Sequence, residues 1–275
     1  MRLTVWEWGH RAQPPIVCVH GWGDTGASFA FVAAHLAESF HVIAPDLRGF
    51  GASAWASDGY WFPDYLADLE VVLDHFVPDG PFVLVGHSMG GNIAGLYAGV
   101  RPERVSRLVL LEGFGMPPTH ADQAPGRYRR WLDELRADDP LRDFESREAL
   151  VAHLRKLAPH APDGVLETLV ELWARPVEGQ RWRLKMDPAH KRVNPVLYRR
   201  EEASACWAQT LAPVLLISAR QSDIATRFPR FDVMTEASTR YRDARQAWVD
   251  DAGHMLHWEQ PRAVAALVGA FASDV

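Results

Sequence analysis

The chain has 275 residues, 48% of them hydrophobic and 23% charged. That is enough apolar material for a large core, and it excludes a disordered chain. The net charge of −6, with no stripe of Lys or Arg, argues against a nucleic-acid partner.

The chain opens on Met1-Arg2-Leu3-Thr4-Val5-Trp6-Glu7, which has an acid where a signal peptide needs apolar residues. No apolar run reaches the roughly 18 residues of a membrane span. A cytoplasmic location is the expectation. Leu3–Trp8 alternates and reads as a strand. Ile16-Val17-Cys18-Val19 is wholly apolar, as a strand buried on both faces should be. His41–Ala44 is a third short β run. Asp64 caps a helix with Leu66, Leu69, Leu73 and Phe76 on one side. Phe82–Val85, Leu108–Leu111 and Val214–Ile217 repeat the apolar strand pattern, and Ala247–Val249 is a weaker last strand. Pro261 opens a final helix over Arg262–Ala272. Strands alternating with helices predict right-handed crossovers and a mostly parallel, doubly wound α/β sheet of about seven or eight strands.

Between 115 and 210 the alternation stops. Helices are predicted at Gly126–Ala137, Arg147–Leu157, Gly164–Arg175 and Arg200–Leu211, with Asp163 as an N-cap. This stretch is far longer than one crossover needs. It predicts an all-helical cap over 115–210, inserted in a core of 1–114 and 211–275.

Gly86-His87-Ser88-Met89-Gly90 lies between a strand and a helical stretch. In G-x-S-x-G the glycines permit a turn too tight for side chains, and the turn lifts the serine above the strand ends beside a helix N-terminus. Four motifs stand in one order: His20-Gly21-Trp22, Asp46-Leu47-Arg48-Gly49-Phe50-Gly51, Gly86–Gly91, and Ala252-Gly253-His254 with Glu259 and Pro261. On these the chain resembles the α/β-hydrolase-fold family of serine hydrolases over nearly its whole length. The resemblance implies Ser88 as nucleophile, His254 as its base, and the backbone N–H groups of Trp22 and Met89 as oxyanion donors.

A serine needs a base, and the base needs a carboxylate to set its tautomer. Of twelve histidines, His254 follows the last strand in a Gly-His turn, with His257 the nearest competitor. His87 and His20 read as groups that shape the elbow and the loop after the second strand. Two acids compete. Asp223 lies in the loop where the family usually carries its acid; Glu112 ends the Leu108–Leu111 strand, the position used by haloalkane dehalogenases. Asp223 is the expected acid, and Glu112 otherwise serves the cap hinge. Trp131, Trp173, Trp182 and Trp207 lie in the insertion, and a subset is expected to wall an apolar acyl pocket.

A serine at the elbow disfavours dehalogenase and epoxide-hydrolase chemistry, which use Asp there. The expected reaction is cleavage of an ester-type bond of a small apolar substrate through an acyl-enzyme. A C–C bond hydrolase, an aminopeptidase, a perhydrolase-like enzyme and a non-catalytic small-molecule-binding protein of the same fold are the alternatives. No G-x-G-x-x-G follows the first strand and no metal-ligand spacing stands out, so no cofactor and no metal are expected; two cysteines, Cys18 and Cys206, make no cluster.

Overall fold

The computed structural model describes residues 1–137, 141, 143–227 and 232–274. Nine strands are formed among them: β1 (Val5–Trp8), β2 (Pro15–Val19), β3 (His41–Pro45), β4 (Phe82–His87), β5 (Val105–Leu111), β6 (Ala174–Pro176), β7 (Trp182–Leu184), β8 (Val214–Ala219) and β9 (Ala244–Val249). Seven make one sheet in the order β1-β3-β2-β4-β5-β8-β9. All neighbours are parallel except β1, which pairs antiparallel with β3. The opening strand therefore closes the sheet edge without forming a hairpin with β2.

Eleven α-helices accompany them: α1 (Ala30–Leu36), α2 (Phe62–Phe76), α3 (Met89–Val100), α4 (Ala124–Arg136), α5 (Arg147–Leu157), α6 (Asp163–Trp173), α7 (Arg200–Trp207), α8 (Ile224–Arg227), α9 (Val233–Ser238), α10 (Leu256–Glu259) and α11 (Pro261–Ser273). Helix α2 starts two residues before Asp64, with Trp61 at its N-cap. Among the described residues no helix is long and apolar enough to cross a membrane.

The central strands alternate sides as the pleat demands. Val17, Val19, Phe82 and Leu84 pack with α2, α3 and α7 on one face. Ile16, Cys18, Val83 and Val85 pack with α1 and α11 on the other. Both faces are covered, which is why these runs are continuously apolar.

Residues between β5 and β8 leave the sheet. Helices α4 to α7 form there, close to the predicted bounds, but the segment is not wholly helical. Ala174–Pro176 and Trp182–Leu184 pair antiparallel as a small hairpin. Three-residue strands give too short an alternation to be read from sequence. Leu150, Leu154, Leu166, Leu169, Val170 and Trp173 form a third apolar cluster, closed from the core side by Met255 and Trp258.

Helix α3, which starts at the elbow, carries Gly90, Gly91, Gly95 and Gly99. Glycine inside a helix costs about 1 kcal/mol relative to alanine, so something must offset it. Here it is close approach: a Cβ on Gly99 would overlap the Cys206 carbonyl of α7, and one on Gly95 would lie 2.9 Å from Tyr241 Oη and 3.0 Å from Trp207 Nε1. Gly99→Ala should therefore destabilise the fold by roughly 1–3 kcal/mol despite its better helix propensity. Thermal unfolding checks this; an unchanged or raised Tm would contradict the close packing of α3 on α7.

Candidate active site

Every loop named by the motifs leaves the same, C-terminal edge of the parallel strands, where open α/β sheets place their sites. Ser88 follows β4 with φ 53° and ψ −116°. A non-glycine residue held at positive φ stores strain of order 1–3 kcal/mol. The surroundings enforce it. Ser88 N–H donates to Leu111 O at 2.9 Å and Ser88 O accepts from Asn92 N–H at 3.2 Å. A Cβ on Gly86 or Gly90 would strike neighbouring main chain.

His254 stands over the elbow. Its Nε2 is 3.0 Å from Ser88 Oγ, and its Nδ1 is 3.3 Å from Glu112 Oε2. Glu112 is buried, and its backbone also has positive φ, at 52°. Its Oε1 accepts from Ser218 Oγ at 2.5 Å and from Ala219 N–H at 2.9 Å. Oε2 also accepts from Ser222 Oγ. With the carboxylate as acceptor, Nδ1 of His254 carries the proton and Nε2 presents a lone pair to the serine hydroxyl.

Asp223 is not brought to His254. It is exposed in the turn after β8, and its carbonyl accepts from Thr226. The donors around Glu112 come from β8 and the turn that follows it. Ser218 and Ala219 at the end of β8 and Ser222 just after it donate to the Glu112 carboxylate and hold it beside Nδ1. The structure places Glu112, the alternative at the end of β5, rather than the expected Asp223 beside His254 Nδ1.

Two backbone amides lie next to the serine in the fold, those of Met89 and Trp22. Met89 N–H opens α3 and, like other first-turn amides, has no intrahelical acceptor. Trp22 follows Gly21, on which a Cβ would lie 3.1 Å from Ser88 Cβ. Neither N–H donates to a backbone carbonyl among the described residues. His20 holds this loop: its Nε2 accepts from Leu47 N–H at 2.9 Å and its Nδ1–H donates to Gly21 O at 2.7 Å. His87 donates from Nε2 to His254 O at 2.8 Å. Burial pushes its pKa well below 6.5, so it is a neutral donor.

A cavity of about 510 Å³ opens at Trp22 and Met89 and runs between Tyr60, Trp61, Trp131 and Leu135. Of the four tryptophans in the insertion, Trp131 lines it. Trp173 is buried against Trp258, Trp182 packs on the third cluster and Trp207 packs under α3. Trp22 and Trp61, both more than half exposed, complete the aromatic wall from the sheet side.

His190 also lines the cavity, sandwiched between Phe50 and Tyr60 at ring separations of 3.9 and 3.5 Å. Its Nε2–H donates to Arg48 O at 3.2 Å. Burial lowers its pKa from 6.5 to about 4. The unfolded chain takes up this proton near 6.5 and the folded chain near 4, so the contribution to stability is present above that window and is lost as pH falls through it. Urea midpoints should decline between pH 6.5 and 4, and His190→Asn should flatten the decline. An identical slope in the variant would remove His190 as the responsible group.

Comparison with known proteins gives the family. The family described as alpha/beta hydrolase fold matches residues 14–261. The chain belongs to that family. It is 30% identical over 281 residues to the 3-hydroxybutyrate-oligomer hydrolase of Cupriavidus necator, covering 96% of this chain and 90% of that protein. It is 27% identical to a serine hydrolase-like protein of Danio rerio, covering 96% and 83%. The thioesterase domain from the curacin biosynthetic pathway superposes with a TM-score of 0.85 at 25% identity, covering 97% of this chain and 94% of that one. As an alpha/beta hydrolase family member with hydrolases among its relatives, the protein is a hydrolase.

Proposed function

We propose that this alpha/beta hydrolase cleaves carboxylic esters of small apolar substrates through an acyl-enzyme on Ser88. The observation that carries the reading is the line Ser88 Oγ–His254 Nε2 at 3.0 Å and His254 Nδ1–Glu112 Oε2 at 3.3 Å. His254 takes the serine proton as Oγ attacks the ester carbonyl. The Trp22 and Met89 amides stabilise the oxyanion without reorganising. His254, now imidazolium beside Glu112, gives its proton to the leaving alcohol. Water enters, loses a proton to His254, and releases the acid.

Residues 115–210 act as the cap in this reading. Trp131 and Leu135 of α4 line one cavity with Trp22 and Trp61, and a wall of this kind selects acyl and leaving groups. The 3-hydroxybutyrate oligomers named for the Cupriavidus relative are the first ester class to try, with acyl thioesters as a second arm.

A fluorophosphonate tests the nucleophile directly. One adduct per chain on the peptide that contains Ser88 supports the reading; an adduct elsewhere, or none, rejects it. The cap is tested by a p-nitrophenyl ester panel from acetate to palmitate. Trp131→Ala should change relative kcat/KM along the panel by about 1–3 kcal/mol for each methylene group that the shortened side chain no longer covers. A uniform loss across the panel with a lowered Tm would mean that the helices only stabilise the domain.

A further inference from the structure

Behind the elbow lies a second group of polar side chains that the ester chemistry does not use. Asp24, His87 and His257 are at most 1% exposed. One donor atom from each lies within 4.8 Å of the other two. The rings of His87 and His257 are 4.2 Å apart between centroids, and His257 Nε2 is 3.2 Å from Asp24 Oδ2.

Two observations point to a cation at this place. The first is Asp24. Its carboxylate accepts from Thr25 N–H at 2.7 Å, Ser28 Oγ at 2.8 Å and Trp173 Nε1–H at 3.1 Å, all neutral donors. Among the described residues its one partner able to carry a charge is His257, with no Lys or Arg beside it, and a buried carboxylate without a fixed cation is costly. The second is His87. Its Nε2–H is committed to His254 O, so Nδ1 is a bare lone pair, and that atom has no partner. Orphaned buried acceptors are rare and ask for an explanation. His257 offers Nε2, from which an ion would displace the proton now shared with Asp24.

We infer that Asp24, His87 and His257 form a binding site for one divalent transition-metal ion of the zinc class. Two imidazoles and a carboxylate are a zinc donor set, whereas magnesium and calcium take oxygen ligands. Two donors on one tetrahedral ion at metal–ligand distances of about 2.0–2.1 Å stand roughly 3.3 Å apart, and the Asp24–His257 separation of 3.2 Å meets that spacing. Rotation about χ2, which is broad for histidine, brings the remaining donor inward, and one water completes the tetrahedron. The groups that orient the ligands are already in place: Ser28, Thr25 and Trp173 hold Asp24, and the His254 carbonyl holds His87.

The three ligands come from the three segments that build the site. Asp24 is two residues beyond Trp22, His87 directly precedes Ser88, and His257 is three residues beyond His254. An ion here ties the oxyanion loop, the elbow and the base loop to one point. Sequence spacing gives no hint of it, because 24, 87 and 257 belong to no local motif.

The experiment uses the full-length chain, stripped with EDTA, exchanged into buffer and given zinc chloride. After desalting, wild type should retain about one zinc per chain, and its Tm should rise by several degrees; magnesium chloride should do neither. His254→Ala should retain the ion, whereas His257→Gln and Asp24→Asn should lose both the ion and the Tm shift. Should the buried variants fail to fold, anomalous scattering at the zinc edge from wild-type crystals decides alone. A peak among Asp24, His87 and His257 is expected. Zinc only on His254 or on surface histidines, or an ordered water in place of the ion, overturns the proposal.

Discussion

Ser88→Ala is expected to lower kcat for ester hydrolysis by about 10⁶, the scale of nucleophile loss in serine hydrolases, with the fold intact. The substitution removes one hydroxyl oxygen and leaves the backbone contacts that define the elbow, Ser88 N–H to Leu111 O and Ser88 O to Asn92 N–H, in place. Circular dichroism and Tm should match wild type. The strain at φ 53° is shared by both residues, because alanine gains nothing there that serine lacks. Residual turnover within tenfold of wild type on p-nitrophenyl butyrate would remove Ser88 as nucleophile and return the chain to the non-catalytic binding alternative.

The second large effect separates the two acids. Glu112→Gln should cost about 10⁴ in kcat, because an amide at this place can offer N–H to Nδ1 and so select the tautomer that donates, not accepts, at the serine. Asp223→Asn should leave kcat within a few-fold of wild type, since Asp223 is exposed and Glu112 holds the place beside Nδ1. Glu112 is buried and its carboxylate also accepts from Ser218 and Ala219, so some loss of stability in Glu112→Gln is expected. The kinetic loss should persist at about 15 °C, near the temperature of maximum stability, where both variants are folded. A crippled Asp223→Asn beside a nearly normal Glu112→Gln would reverse the assignment.

What the sequence determined by itself is what short-range physics encodes. Continuous apolar runs at Ile16–Val19, Phe82–Val85 and Leu108–Leu111 read as strands covered on both faces, and they became the centre of the sheet. Gly86 and Gly90 are written into the chain because no Cβ fits there, so the elbow and Ser88 were legible. His254 was legible because it follows the last strand in a Gly-His turn, and parallel topology sends all such turns to one edge. The tertiary structure decided what depends on contacts between distant segments. Glu112 and Asp223 both sit in loops at the correct edge, and spacing cannot say which carboxylate reaches Nδ1. The Ser218, Ala219 and Ser222 donors, 106 to 110 residues away in sequence, select Glu112. The β6–β7 hairpin and the Asp24–His87–His257 cluster were hidden for the same reason: short or scattered residues acquire a shared meaning only once the sheet has folded them to one place.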